Sequence, residues 1–319
     1  MLGRLRAPVA PPLFSRIAWI ALGALTLIVV TGAAVRLTGS GLGCPDWPKC
    51  FGNAVPPLKT HAVIEFGNRM LTGVVGFVAL AAALLAWRRR PFRRDLLVLG
   101  ALLPLGVVAQ AVLGGFTVTH RLAPGFVMAH FALSMLILVP AFALAWRARE
   151  RREDEPRRLP DRRAVAIVRG LVPLAAVTIV AGTVATAAGP HAGGRGTHDL
   201  VHRLRFKGSG TLDFVIHQHA LLATLLGLAA IGAWLLARQR GAGEELTTPL
   251  TTVVVLLGAQ GIVGAVQYSL KLPTEIVWVH VGLATLTWIA VLWSTAAAGS
   301  LALRTADRQG PAAAGLESA

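Results

Sequence analysis

The stretch Thr60–Gly76, THAVIEFGNRMLTGVVG, decides the fold of this chain. It opens an apolar run long enough to cross a membrane, yet it carries His61, Glu65, Asn68 and Arg69. Ionisable groups inside a bilayer are expensive, so such residues face a bundle interior, a cavity or a cofactor rather than lipid. At about 100° per residue, Glu65, Asn68 and Arg69 share one side of a helix, and His61 lies one turn before Glu65. The pattern therefore predicts a membrane helix with an inward-facing polar stripe near one end.

The rest of the chain is as apolar. Of 319 residues 55% are hydrophobic and 14% charged, with a mean hydropathy of +0.63, whereas soluble domains carry about 25% charged residues. Eight runs reach the roughly 20 residues that a spanning helix needs: 17–37, 62–87, 95–118, 124–146, 164–187, 213–236, 249–270 and 275–298. Period-2 alternation is absent, which excludes barrel strands. The fold class is an all-α integral membrane protein. Arg4, Arg6 and Arg16 precede the first run in the manner of a signal peptide, but that run is too long for a cleaved segment and is read as a retained helix.

The net charge of +16 resides in short loops. Arg88–Arg94, Arg147–Arg163 and Arg238–Arg240 alternate with loops that carry fewer basic residues. The positive-inside rule explains this placement and puts both termini in the cytoplasm, in a multi-pass protein of the inner (plasma) membrane. Nucleic-acid binding is excluded as the source of the charge.

The two halves of the chain match each other. At an offset of 150, Val30-Thr-Gly-Ala-Ala falls on Val180-Ala-Gly-Thr-Val, Gly39 on Gly189, Gln110–Gly114 on Gln260–Gly264, and His130 on His280. At an offset of 151, Asn68 falls on His219 and Gly76 on Gly227. Glutamine, glycine and histidine in one register predict two pseudosymmetric four-helix bundles sharing one orientation, with the axis along the membrane normal. The expected units are 1–150, 151–303 and a disordered tail over 304–319.

His219 and His280 sit at matching depths in apolar sequence. They are either hydrogen-bonded interior histidines or an axial pair holding a heme between two helices. Zinc fits less well, since no further ligands stand at helical spacing. The first half has His130 in place, but Asn68 stands where the second ligand belongs, with His61 two turns earlier on nearly the same face and Glu65 added. The i,i+4 pair Glu65–Arg69 suits an intramembrane ion pair that orders the bundle, and equally a catalytic acid beside its counter-ion. Cys44 and Cys50 are the only cysteines. They lie outside the cytoplasm on this topology, which favours a disulfide; a two-thiol relay and free thiols are the alternatives. His120, His191, His198, His202 and His217 are expected in loops or on other helix faces.

The run Thr31–Cys50, TGAAVRLTGSGLGCPDWPKC, with Glu65-Phe-Gly-Asn-Arg69, Gln110-Ala-Val-Leu-Gly-Gly115, His130, Gly189-Pro-His-Ala-Gly193, His219 and His280, resembles the heme A synthase family from about residue 17 to 298. The resemblance implies oxidation of a methyl group of heme O to the formyl group of heme A for terminal oxidase assembly. It implies heme b as cofactor in the C-terminal half, on His219 and His280. It implies heme O as substrate in the N-terminal half, with Glu65 catalytic and His130, Asn68, His61 and Arg69 binding, His130 as an iron ligand. It also implies a Cys44–Cys50 disulfide. Expected partners are heme O and heme A, the heme O synthase, oxidase assembly factors, membrane lipid and a second copy of the chain. Two features depart from the family: its Glu-x-x-His-Arg reads Glu-x-x-Asn-Arg here, leaving His61 or His120 as substitutes, and residues 188–212 lack the second cysteine pair of some members. The rival readings are a non-catalytic membrane b-type cytochrome and a transporter with internal repeats.

Overall fold

A computed structural model describes residues 8–149, 162–191 and 201–299. Eight helices account for nearly all of them: α1 Pro11–Leu37, α2 Thr60–Arg88, α3 Arg94–Thr119, α4 Pro124–Ala148, α5 Arg162–Ala188, α6 Thr211–Gln239, α7 Glu244–Ser269 and α8 Thr274–Ala297. Each is long and apolar enough to span a bilayer, and the chain is a multi-pass membrane protein. The tail over 304–319 and His198 lie outside the described residues.

Two helices begin earlier than their apolar runs. α1 starts at Pro11, because a proline at the first helical position loses no hydrogen bond and is preset in φ. α7 starts at Glu244, because Glu244 and Glu245 complement the positive end of the helix dipole. Its Pro249 lies in the second turn, where the ladder has already begun, so the Glu245 carbonyl loses its i+4 donor.

Packing follows the repeat. In the first half α1 packs on α2 and α4, and α3 fills the space between α2 and α4; in the second α5, α6, α7 and α8 repeat the arrangement. The halves meet through α1 on α8, α4 on α5, and α4 on α8, so α4 and α8 straddle the pseudo-twofold axis. Small residues bring the helices together. A Cβ on Gly100 would sit 3.3 Å from Ala83 and Ala86, and one on Gly106 only 2.7 Å from Ile137. Large apolar side chains such as Phe77, Leu105 and Ile262 point outward, where lipid rather than water is the solvent.

The loops carry the repeat down to the backbone. Arg121 and Leu122 between α3 and α4 have φ of 49° and 57°; Lys271 and Leu272 between α7 and α8 have 59° and 64°. Left-handed non-glycine residues are uncommon, and two in succession more so. Both turns close with the same bonds, from the Leu122 amide to Thr117 O and from the Leu272 amide to Gln267 O. Arg93 donates to the Arg147 carbonyl, and Arg169 to the Gly299 carbonyl, which gathers the arginine-bearing loops and the end of α8 at one end of the bundle.

Candidate functional site

One cavity of about 1150 Å³ runs through both halves. It exceeds the roughly 300–1,000 Å³ of a site for one small ligand. Its walls carry Glu65, Asn68, Gln110 and His130 from the first half and His219, Gln260, Gln267 and His280 from the second. Among the described residues, seven that line the cavity bury a polar atom with no partner: Arg36 Nε, Asn68 Oδ1, Gln110 Oε1, His130 Nδ1, Gln260 Oε1, Gln267 Oε1 and His280 Nδ1. Native interiors rarely leave such groups unpaired, and their concentration on one cavity makes it the candidate site.

In the second half the His219 and His280 rings face each other with centroids 6.2 Å apart and planes at 77°. His219 Nδ1 lies 3.0 Å from the Thr178 carbonyl oxygen. A carbonyl has no proton to give, so Nδ1 is the donor and Nε2 keeps its lone pair. Glycines make room for both rings: a Cβ on Gly182 would stand 3.0 Å from His219 Cε1, and one on Gly264 3.5 Å from His280 Cε1. Two imidazoles on opposite sides of one ion, with metal–nitrogen bonds of about 2 Å, would place their ring centres about 6 Å apart. Among the described residues no three of His, Cys, Asp and Glu gather at one point, so the pair would supply two ligands only.

The first half repeats this cradle with different contents. Gly114 passes His130 as Gly264 passes His280, with a Cβ position 3.3 Å from His130 Cε1. Gln110 donates to His130 O and to Ser134 Oγ, at 3.0 and 2.6 Å. Opposite, Gly32 approaches Asn68, whose Nδ2 would be 3.9 Å from a Cβ there; Gly182 and His219 are the counterparts.

Glu65 is 6% exposed and both its carboxylate oxygens are engaged. Oε1 pairs with Arg69 Nη2 at 2.6 Å, and Oε2 accepts the Cys44 amide at 2.8 Å. Arg69 also donates to the carbonyls of Asp46, Lys49 and Cys44. The ion pair inferred from the i,i+4 spacing is therefore present, and it extends into the outer loop. That loop is closed by the Cys44–Cys50 disulfide, with Cα atoms 4.7 Å apart and no free cysteine among the described residues. Trp47 swings from it onto Gly115 of α3 and into the cavity wall. Asp46 accepts the amides of Phe51 and Gly52 at 2.6 and 2.7 Å; the Gly52 amide first, then that of Phe51, holds its carboxyl below the usual range.

The structure brings Glu65, Asn68, Arg69 and His130 to one cavity wall and His219 and His280 to another. His61 is not brought there. Its Nδ1 is 2.9 Å from Ser40 Oγ, and Gly43 crosses its backbone so closely that a Cβ would collide with the His61 carbonyl. The His61 ring thus fastens the outer loop through Ser40. His120 also stays outside, donating from Nδ1 to Phe116 O and lying against Phe126. His217 reaches the cavity rim but its Nδ1 is spent on Asp213 O. His191, expected as a loop residue, is buried in the wall and donates from Nε2 to the Leu272 carbonyl of the left-handed turn. Arg36, Gln110 and Gln260 were not singled out as site residues from the sequence; the repeat of Gln110 in Gln260 was the available signal.

Residues 15–292 match the COX15-CtaA family model, described as cytochrome oxidase assembly protein. Among curated proteins, the heme A synthase of Lysinibacillus sphaericus is 33% identical over 132 residues, 40% of this chain and 43% of the relative. That of Bacillus pumilus is 35% identical over 124 residues, 38% and 40% of the two chains. That of Halalkalibacterium halodurans is 29% identical over 134 residues, 41% and 45%. The aligned segments thus span less than half the length of these relatives.

Proposed function

This chain belongs to the COX15-CtaA family of cytochrome oxidase assembly proteins, and we propose that it is a heme A synthase, oxidising a methyl group of heme O to the formyl group of heme A. The observation that carries the reading is one cavity with two like cradles of unlike equipment: an imidazole pair at 6.2 Å in one half, and His130, Asn68 and a buried Glu65 in the other. The oxidase named in the family's description is the consumer of the product. On the same reading the arginine-bearing end faces the cytoplasm, with both termini, in the cell's inner membrane.

His219 and His280 fit heme b. Their separation suits a shared iron, Gly182 and Gly264 make room for the two rings themselves, and among the described residues no third metal-ligating side chain joins them, so a macrocycle would complete the coordination. Bound there, heme b supplies one-electron redox chemistry. The chain contributes the geometry: the Thr178 carbonyl fixes the His219 tautomer and aims its free nitrogen at the cavity.

In the first half His130 is the candidate iron ligand for the substrate, and Asn68 opposite it is a weak one, which suits a molecule that must leave after reaction. Taking a methyl group to a formyl group with water as the oxygen source releases four protons and four electrons, the electrons passing to an external acceptor. Glu65 is the proton acceptor on this wall, held in place by Arg69 and the Cys44 amide. Arg69 balances its charge and binds the outer loop, which brings Trp47 to the cavity wall.

The test is Glu65→Gln in cells that make heme O, followed by extraction of total heme and a visible spectrum of the purified protein. The expected result is a normal complement of the resident heme and no heme A. Heme A at the normal rate would remove Glu65 from the chemistry. A wild-type protein that binds heme but never yields heme A would instead be a membrane b-type cytochrome.

A further inference from the structure

Two guanidinium groups line the cavity, and their situations differ. Both terminal nitrogens of Arg69 are engaged, by Glu65 and three loop carbonyls. Arg36, in the last turn of α1, has no side-chain hydrogen bond and no carboxylate within ion-pair distance among the described residues, and its Nε is buried without a partner. A buried cation without a counter-ion is strongly unfavourable, and a cavity-facing one is a recognition group for an anion that arrives with the ligand.

The position says which ligand. Arg36 lies one turn beyond Gly32, the residue that approaches Asn68, so it stands about 6 Å further out along the same helix face. In the second half the same position is Thr186, whose hydroxyl is spent on the Gly182 carbonyl. The cation thus belongs to the first-half pocket alone. Resting on the reading of that pocket as the heme O site, we propose that Arg36 recognises a carboxylate of the bound porphyrin, pairing with a propionate and so fixing which edge of the macrocycle faces Glu65.

Carboxylate recognition is tested by adding iron protoporphyrin IX, or its dimethyl ester, to purified protein that already holds its resident heme, and following the visible difference spectrum. Wild type is expected to prefer the free acid by about ten- to a hundred-fold, the range for loss of a charged hydrogen bond. Arg36→Gln is expected to lose that preference while keeping the resident heme, and Arg36→Lys to keep part of it. His130→Ala abolishes the added uptake and so locates it. A wild type without preference, or an Arg36→Gln protein with the wild-type preference, overturns the proposal. So does an Arg36→Gln protein that loses only co-purifying anionic phospholipid, for then the partner is a headgroup phosphate. A wild type that takes up no added porphyrin overturns the reading of the first pocket itself.

Discussion

At the residue scale, two glycines at equivalent positions separate the halves. Gly182 has no space for a methyl group, because His219 is pinned behind it by the Thr178 carbonyl. Gly32 faces Asn68 at ordinary contact distance. Gly182→Ala should therefore push His219 off its axis and cost about 1–3 kcal/mol of stability, the usual penalty of overpacking, with a falling heme-to-protein ratio in the purified sample. Gly32→Ala should leave that ratio unchanged. Neither outcome could be read from the glycines alone. The Gly-to-His proximities join different helices, and the Thr178–His219 bond spans 41 residues. By contrast, Glu65 and Arg69 are one helical turn apart, and their pairing was visible from spacing.

At the element scale, the outer loop between α1 and α2 works as a clamp rather than a bare connection. The disulfide and the Asp46 bonds close the loop on itself, and the Arg69 donors and the Ser40–His61 contact fasten it to α2 beside the first pocket. Asp46 has its carboxyl held below the usual value, so its contribution is present above the ordinary carboxylate range and is lost as pH falls through the lowered folded value. The loop should keep its order across neutral pH and fray only below about pH 4. In Asp46→Asn the acid dependence should vanish, and the amides of Phe51 and Gly52 should exchange faster at neutral pH. Hydrogen exchange corrected for intrinsic rates measures both; equal protection in the two proteins would contradict this account. The Thr31–Cys50 motif announced that this loop mattered, but the Arg69 contacts depend on how the loop folds back onto α2.

For the whole molecule, the two halves are fastened near the axis by indoles. Trp288 of α8, 5% exposed, donates from Nε1 to Met135 O of α4 at 2.9 Å, and Trp278 donates to Val30 O of α1 at 2.9 Å. Trp288→Phe keeps most of the ring but removes the bond, and should cost about 1 kcal/mol; Trp288→Ala also opens a cavity and should cost about 3–5 kcal/mol. Thermal unfolding in detergent reads the difference. A Trp288→Ala protein as stable as wild type would mean the halves do not depend on this seam. Because the seam lies beside a cavity shared by both halves, the second variant should also weaken heme retention.

Sequence by itself determined the membrane class, the eight helices and the doubling of four into eight. These rest on local composition and on self-similarity, both written along the chain: apolar length, arginine in alternate loops, and Gln110, Gly114 and His130 repeated in Gln260, Gly264 and His280. The tertiary structure alone decided which polar residues of the Thr60–Gly76 stripe face the cavity. Glu65, Asn68 and Arg69 do, whereas His61, nearly on the same face by helical spacing, is captured by Ser40. It also decided that, among the described residues, Arg36 meets no counter-ion while Arg69 is engaged by Glu65 and three loop carbonyls. A helix wheel gives the direction of a side chain but not the partner waiting there, and the partners here come from loops and helices far away in the chain.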